Sequence, residues 1–427
     1  MKTIKICPEK KLGKFKYLNA VNNGPITGNF EDYKAARIPY ARTHDASFYA
    51  GYGGEHTVDI SSIFTDFDAD PYDEKSYDFV CTDHYLLSTL DADTKIFYRL
   101  GQKIEHYVKK FNIYPPKDFK KWAVICEHII KHYNYGWANG YELGIEYWEI
   151  WNEADLDPED AENKKTWMGT KAQFFDFYET AAKHLKACFP ELKIGGPALA
   201  HDREWADHFL AEMKKRNVPI DFFSWHVYCA DLAIMFDKAN FVDGLLKKYD
   251  YQAENILNEW NYVKNWKPEG LLYSKKVMLR AKGAVFVLTC MLQAQHSPID
   301  MLMYYDARPC SWNGMFDFYT NEPLKGYYPF KWYGMFYDCE CEIECENQND
   351  NVYALSGIDK DGKTTTIITY YSDEKNLEDI TINVDFGRKG CYEVYLLDEN
   401  HTAELVDTTE VLNIKMTRNS AVLIKEV

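Results

Sequence analysis

The sequence lacks any excess of positive charge. Its 427 residues include 49 Lys and Arg against 66 Asp and Glu, which gives a formal net charge of −17. Nucleic acids and anionic membranes are bound by clustered Lys and Arg side chains. We therefore expect neither nucleic acid nor membrane among the partners of this protein.

Long apolar runs are missing as well. The first 17 residues contain basic side chains but no apolar stretch of the length that a signal peptide needs. No later stretch has enough consecutive apolar residues to cross a membrane. The eleven cysteines are odd in number and follow no regular spacing, which favours reduced thiols over a disulfide framework. These features predict a cytoplasmic protein and leave its oligomeric state open, a homo-oligomer included.

Complete metal-binding motifs are absent too. The acidic segment Asp66–Asp70 opens like a calcium loop but has Pro71 where such a loop needs Gly. His128 and His132 are four apart without the Glu of a zinc protease between them, and are predicted to be solvated or to cap a helix. The cluster Cys339–Cys345 has no second ligand pair at zinc-finger spacing. The sequence therefore predicts no metal ion and no cofactor.

Aromatic residues are abundant by contrast. They make up 16% of the chain, with 33 Tyr and 11 Trp. Core packing explains most of these rings. A sugar nevertheless presents a flat face of C–H groups and a rim of hydroxyls, and an aromatic ring with a polar tip suits both.

Strand-like and helical patterns alternate through the first three quarters of the chain. Such alternation predicts a parallel sheet, and eight units predict a closed (β/α)8 barrel. The eight β-like runs are Tyr17–Val21, Ile38–Thr43, Lys95–Arg99, Ile145–Trp151, Leu192–Pro197, Ile220–Tyr228, Ala253–Trp260 and Ile299–Asp306. Helical spacing is clearest in Asp118–Tyr135, Lys171–Phe189, Arg203–Arg216 and Ser274–Gln295.

The pattern of apolar and polar residues changes near Glu344. Thr364–Tyr371, Ile380–Val384 and Cys391–Leu396 alternate between apolar and polar residues and are separated by turn sequences, as in an antiparallel β-sandwich. We predict a catalytic barrel over residues 11–338 and a smaller C-terminal β-sandwich domain over residues 339–427. Residues 1–10 can join this sandwich through the strand-like Lys2–Cys7.

Two of the predicted barrel strands, the fourth and the seventh, end in an Asn-Glu pair. YWEIWNEADL runs over Tyr147–Leu156 and ILNEWNY over Ile256–Tyr262. Glycoside hydrolysis with retention of configuration needs two carboxyl groups roughly 5 Å apart, one as acid and one as nucleophile. Glu153 and Glu259 are our candidates. Each motif alone is weak, but their separation of roughly a hundred residues fits three βα units of a barrel.

The active sites of such barrels lie at the carboxyl ends of the strands. That rule selects further candidates for substrate binding: Arg42, His44, Asp45, Asn152, His226, Tyr228, Tyr304 and Tyr305. Arg42 and a hydrogen bond from Tyr228 would keep a nucleophile ionised, whereas an acid needs a pKa raised by burial or by the other carboxylate. His44 or Asn152 can hold sugar hydroxyls. Arg42, His44 and His226 can also be explained as residues that only brace the barrel mouth.

Several longer blocks show a resemblance to a known family. They are RTHD at Arg42–Asp45, SYDFVCTD at Ser76–Asp83, WNEADL at Trp151–Leu156, KIGGPA at Lys193–Ala198, DFFSWHVY at Asp221–Tyr228 and LNEWN at Leu257–Asn261. In these blocks and their order the sequence resembles glycoside hydrolase family 39, which includes β-xylosidases and α-L-iduronidases. The resemblance implies that Glu153 is the acid/base and Glu259 the nucleophile, that Asn152 contacts the sugar, and that His226 and Tyr228 line the site.

The sequence departs from the family pattern at two places. Ala154 follows the acid/base candidate where Pro is often found, and Tyr304 or Tyr305 stands where a Trp is common near the end of the eighth strand. The sugar is therefore not fixed by the resemblance.

We predict a retaining exo-hydrolase of small glycosides, with β-xylosidase as the first choice. β-Glucosidase, β-galactosidase and arabinosidase are alternatives of the same class. Iduronidase is disfavoured because the acidic sequence shows no extra basic site for a carboxylated sugar. A carbohydrate-binding protein without catalysis is the alternative from another class, and the presence of both glutamates argues against it.

Overall fold

The computed structural model describes residues 2–25, 28–46, 56–373 and 376–427. Strand β1 (Lys2–Gly13) belongs to a separate sheet. The next eight strands close into a parallel barrel: β2 (Tyr17–Asn22), β3 (Tyr40–Arg42), β4 (Lys95–Leu100), β5 (Tyr147–Ile150), β6 (Lys193–Leu199), β7 (Phe222–Cys229), β8 (Glu254–Tyr262) and β9 (Met301–Tyr304). Each of the eight predicted runs overlaps one of these strands, and the predicted barrel is confirmed.

Helices follow the barrel strands and cover the outside of the barrel. They are α1 (Phe30–Ala36), α2 (Ile60–Ile63), α3 (Val80–Asp91), α4 (Phe119–Tyr135), α5 (Lys171–Cys188), α6 (Arg203–Lys215), α7 (Leu232–Lys248), α8 (Pro268–Met278), α9 (Ala281–Ala294) and α10 (Tyr328–Gly334). Within the described part of the chain, no single helix is long and apolar enough to span a membrane; α8 and α9 meet that criterion only as a pair bent by 82°.

Local sequence signals explain where the long helices begin and end. Asp118 caps α4 by accepting hydrogen bonds from two backbone N–H groups, and Gly136 ends it with a left-handed φ of 72°. Helix α5 begins with a complete capping box between Thr170 and Gln173. The capping residues Asp118, Gly136 and Thr170 lie within one residue of the predicted helix bounds, because capping depends on the local sequence.

The two histidines of α4 are buried, which corrects the prediction that they are solvated or capping. His128 Nδ1 lies 2.8 Å from the carbonyl oxygen of Val124. His132 Nε2 lies 3.0 Å from a carboxylate oxygen of Asp83 on α3. Both rings therefore serve the packing of α4.

The predicted helix Ser274–Gln295 is two helices. Helix α8 ends at Met278, and α9 begins at Ala281 after a sharp bend. Twelve of the fourteen residues of α9 are buried, because α9 packs against the barrel on one side and against the second sheet on the other. Its apolar spacing continues that of α8, so periodicity alone could not show the break.

The second sheet has nine strands and contains β1 together with β10 (Cys341–Glu346), β11 (Val352–Ile358), β12 (Thr364–Tyr370), β13 (Ile380–Asp385), β14 (Tyr392–Leu397), β15 (Thr402–Thr409), β16 (Asn413–Met416) and β17 (Ser420–Glu426). β1 lies between β10 and β13, and its pairing with β13 is parallel while the other pairs are antiparallel. Along β12, Ile367 packs with the barrel and Ile368 in the core of the sheet itself, as a strand buried on both faces requires. The predicted C-terminal β-sandwich fold is confirmed, and the bounds of the two domains stay a prediction.

The interior of the barrel is built in layers, because inward side chains alternate along each strand. One layer near the amino ends is apolar and consists of Ala20, Tyr40, Phe97, Tyr147, Phe222, Ile256, Met301 and Met303. In six of these strands the inward position two residues further along is polar. These residues are Asn22, Arg42, Arg99, Glu149, Ser224 and Asn258. This polar layer forms the floor beneath the carboxyl ends of the strands.

Candidate active site

Glu153 lies just beyond the end of β5 in an unusual backbone conformation. Its φ is 50°, and that of Trp151 is 71°, a left-handed region that residues other than Gly seldom adopt. The backbone N–H of Glu153 donates to the carbonyl oxygen of Ala198 at 2.9 Å, and the hydroxyl of Thr166 donates to its carbonyl oxygen at 2.5 Å. These bonds hold the turn that places the carboxyl at the barrel mouth.

A β-bulge in β8 orients the second glutamate. Trp225 pairs with Leu257, but the next residue, His226, pairs with Glu259, so β8 contains one extra residue at Asn258. Without the bulge, strict alternation would point Glu259 out of the barrel. Bulges near active sites commonly redirect a side chain in this way.

Glu259 is held on both carboxylate oxygens. The guanidinium of Arg42 donates to Oε1 at 2.7 Å, and the hydroxyl of Tyr228 donates to Oε2 at 2.8 Å. The predicted contact between Tyr228 and Glu259 is thereby confirmed. His44 Nε2 lies 3.8 Å from Oε1.

His226 lies between the two glutamates. Its Nδ1 is 2.7 Å from Glu153 Oε1 and 3.5 Å from Glu259 Oε2. The nearest oxygens of the two carboxyl groups are within 4.8 Å of each other. Burial lowers the pKa of His226 to about 4, so the ring is neutral at neutral pH.

The two carboxyl groups differ in their electrostatic environment. Burial, reinforced by the charge of Asp155, raises the pKa of Glu153 to about 8. Burial also raises the pKa of Glu259, but the guanidinium charge of Arg42, 2.7 Å away, opposes that rise directly. At neutral pH the arrangement therefore favours a protonated Glu153 beside an ionised Glu259.

Arg42 is the centre of the polar layer and is completely buried. Besides Glu259, it donates to Glu149 at 2.6 Å, to Asn22 at 3.1 Å and to Asn152 at 2.7 Å. Arg42 therefore braces the site from below instead of lining it. Sequence reasoning missed Glu149, although its position two residues after the inward Tyr147 was a signal for a buried carboxylate.

A cavity of about 630 Å³ opens above this floor. Six of the ten predicted site residues line it: His44, Glu153, His226, Tyr228, Glu259 and Tyr305. A cavity of about 650 Å³ at the opposite face of the barrel brings none of the ten together.

Aromatic rings form one wall of the cavity. The ring of Tyr228 lies 5.5 Å from that of Trp266 and 5.8 Å from that of Trp312, while Tyr305 lies 6.4 Å from Trp312. The two tryptophans were missed in the sequence because they stand in loops after β8 and β9, outside any strand-end motif. Their faces suit the C–H face of a sugar.

Asp45 and Asn152 lie behind the cavity wall. Asp45 accepts a hydrogen bond from the hydroxyl of Tyr305 at 2.5 Å and lies 3.5 Å from Arg308. Burial opposes ionisation of Asp45, but His44 and Arg308 outweigh it and lower its pKa. Asp45 therefore holds Tyr305 in place as a buried anion.

Tyr304 does not belong to the cavity. Its ring packs against Trp260 at 5.7 Å and Phe330 at 5.3 Å, and its hydroxyl accepts a hydrogen bond from the N–H of Gly314. The physical reason is strand alternation, which turns Tyr304 outward towards the helices and leaves Tyr305 to face the cavity.

The sequence is similar to stretches of two known β-xylosidases. A β-xylosidase of Caldicellulosiruptor saccharolyticus is 36% identical over 128 residues, which are 30% of this chain and 24% of that protein. A β-xylosidase of Geobacillus stearothermophilus is 29% identical over 184 residues, 40% of this chain and 34% of that protein. The matched stretches thus span only about a quarter and a third of these relatives.

A solved glucosidase structure from Croceicoccus marinus superimposes with a TM-score of 0.79 at 20% identity, covering 100% of this chain and 99% of that one. This likeness supports the fold of both domains. The family model of glycosyl hydrolases family 39 matches residues 10–255, more than half of the sequence. This chain belongs to glycosyl hydrolases family 39.

Proposed function

We propose that this protein is a retaining glycoside hydrolase that releases sugars from small β-glycosides. The separation of the two carboxyl groups carries the proposal. Retaining enzymes hold these groups about 5–5.5 Å apart, whereas inverting enzymes separate them by about 6.5–9.5 Å to admit a water molecule. The nearest oxygens of Glu153 and Glu259, within 4.8 Å, fit the retaining arrangement.

The environments of the two groups support distinct roles. Glu259, held by Arg42 and Tyr228, attacks the anomeric carbon as the nucleophile. Glu153, with its raised pKa, donates a proton to the departing oxygen. In the second step Glu153 removes a proton from water, which then displaces the sugar from Glu259.

The sugar is proposed to be xylose. The names of the two β-xylosidase relatives support this choice, and the aromatic wall suits a neutral pyranose.

A panel of nitrophenyl glycosides tests the activity and the sugar together. We expect turnover of the β-xyloside to exceed that of the β-glucoside, β-galactoside and α-arabinofuranoside. Absence of turnover on the whole panel would favour a carbohydrate-binding protein without catalysis.

Azide rescue of two matched variants tests the roles of the glutamates. In Glu259→Ala, azide should attack the anomeric carbon directly and give a product of inverted configuration. In Glu153→Ala, a substrate with a good leaving group should still form the glycosyl-enzyme, so azide should give retained configuration. NMR of the glycosyl azides distinguishes the two, and identical products from both variants would refute the assignment.

A further inference from the structure

The cavity walls carry more positive charge than the acidic chain suggests. Lys165, Arg203 and Lys238 line the cavity, and its carboxylates among the described residues are Glu153 and Glu259 alone. The sequence showed no extra basic site, and these three cations come together only in the folded chain. Lys165 lies after β5, Arg203 lies at the start of α6, and Lys238 lies within α7. Because these segments are far apart in the chain, no sequence motif indicates the three cations.

These cations lie on the side of Glu153. Lys165 adjoins Thr166, whose hydroxyl bonds the backbone of Glu153. The loop before Arg203 is tied to Asp155, two residues after Glu153, because that carboxylate accepts the backbone N–H groups of residues 200–202. A general acid protonates the leaving-group oxygen, so this side of the cavity faces the leaving group.

Two backbone carbonyl groups hold the side chain of Lys238 in place. Its Nζ donates to the carbonyl oxygen of Ala200 at 2.9 Å and to that of His226 at 2.7 Å. Burial lowers the pKa of Lys238 to about 8, and the charges of Asp155 and Glu153 oppose that shift. The ammonium thus adds positive charge to the wall, which the carboxylate of Asp155 offsets in part.

The other two cations have ion-pair partners outside the cavity. Lys165 pairs with Asp157 and Arg203 with Asp237, and neither aspartate lines the cavity. The side chains of Lys165 and Arg203 remain 35% and 46% exposed. Both can therefore turn an unused N–H group towards a ligand while their partners stay behind them.

We propose that the leaving-group side of the cavity accepts an aglycone bearing a carboxylate, such as a uronic acid residue. This inference rests on the proposed function and specifies its substrate class. The sugar that reacts at Glu259 is neutral, and the anionic group sits on the part of the substrate that departs. Lys165 and Arg203 attract and orient that group, and the charge of Lys238 adds to the attraction.

A pair of glycosides that differ in charge tests the proposal. The 4-carboxyphenyl and 4-carbamoylphenyl glycosides of the sugar selected by the panel have leaving groups of similar size, one anionic and one neutral. The ratio of their kcat/KM values is measured in the wild type and in the double variant Lys165→Met/Arg203→Met. Any intrinsic difference in leaving-group reactivity cancels between the two proteins.

We expect the ratio to fall about three- to tenfold in the double variant, through loss of the anionic substrate alone. High salt should lower the ratio in the wild type and leave the variant nearly unchanged. Lys183→Met is the matched control, because Lys183 is an exposed lysine paired with Glu179 on α5, outside the cavity. It should keep the wild-type ratio.

An unchanged ratio in the double variant, with the neutral glycoside still hydrolysed, would overturn this inference and leave the proposed function intact. If no glycoside is hydrolysed, the proposed function fails, and calorimetric binding of the 4-carboxyphenyl and 4-carbamoylphenyl β-xylosides decides the inference. Tighter binding of the anionic glycoside that is lost in the double variant would support it. Equal binding of both glycosides would refute it.

Discussion

Tyr228 gives Glu259 a hydrogen bond from a neutral donor. The bond, 2.8 Å long, orients the carboxylate without adding a charge. Removal of one preorganised donor typically costs about a hundredfold or more in turnover. We therefore expect Tyr228→Phe to lower kcat by roughly a hundredfold while the melting temperature stays nearly unchanged, since the ring remains.

Tyr304→Phe is the matched control for that experiment. It removes the same atom from a tyrosine whose hydroxyl bonds Gly314 outside the cavity. Turnover should stay close to the wild-type value. Equal kinetic effects in the two variants would show that the loss in Tyr228→Phe does not come from its contact with Glu259.

The pH dependence of kcat/KM should be bell-shaped. In the proposed mechanism Glu259 must be ionised, so activity should fall as the pH drops through the pKa of that group, which burial raises above its usual 4.5. Glu153 must be protonated in the same mechanism, so activity should fall as the pH rises through about 8. Because the groups interact, the two apparent pKa values belong to the pair.

The basic limb can be tested separately. In Glu153→Gln, a substrate with a good leaving group needs no acid for the first step, so release of that group should lose its fall near pH 8. A flat wild-type profile would contradict the assignment. Complete loss of activity with EDTA would instead indicate a metal ion bound by Glu153, His226 and Glu259, which are close enough to hold one.

At the scale of single residues, the sequence predicted the site residues that lie at strand ends and missed the cavity residues that lie in loops and helices. Glu153 follows β5 and Glu259 lies in the carboxyl-terminal half of β8, and both strands are recognisable in the sequence, so topology alone brings the two residues to one edge. The side that a residue faces is harder to predict. The bulge at Asn258 depends on how β8 pairs with its neighbours, which is a tertiary property, and the cavity residue Lys238 reaches the site from the middle of a helix.

Helix α9 shows the same limit at the scale of elements. Apolar residues occupy every side of α9, because the barrel covers one side of the helix and the second sheet covers the other. A helix buried on all sides carries no stripe that marks its ends. The sequence therefore predicted helix correctly over Ser274–Gln295 but not the bend between α8 and α9.

The bend leads to a prediction about Gly283 in the first turn of α9. A Cβ atom there would lie 2.3 Å from the carbonyl oxygen of Val277 and 2.8 Å from Met278 Cα, both backbone atoms of α8. Helix propensity alone favours Ala over Gly by about 1 kcal/mol. We expect Gly283→Ala to destabilise the protein instead, by about 1–3 kcal/mol in denaturant unfolding, because the helices must move apart.

Gly244 in α7 provides the matched comparison. It is exposed, and a Cβ atom added there meets no other atom within 4 Å. Gly244→Ala should therefore stabilise the protein by about 0.5–1 kcal/mol. Changes of the same sign in both variants would show that the α8–α9 contact does not govern the effect at Gly283.

At the scale of the whole molecule, regular alternation was sufficient to predict both architectures. Eight βα units leave a barrel as the natural closed form, and the short alternating strands after Glu344 indicate a separate β-sheet unit. The way the two units join was not predictable from periodicity. It depends on contacts such as the hydrogen bond between Thr289 on α9 and Thr369 on β12, and on the length of β1, which runs to Gly13.

The position of β1 between β10 and β13 has a consequence for how the protein is made. A ribosome completes β1 about 330 residues before β10, a delay of roughly 15–70 s at ordinary rates of synthesis. During that time both edges of the strand lack their partners. Its lysines, among them Lys5, Lys10 and Lys11, discourage pairing with other nascent chains. The acidic β10 is made later, and its Glu346 and Glu344 then pair with Lys5 and Lys10. The lysines that protect the unpaired β1 therefore also favour β10 as its partner.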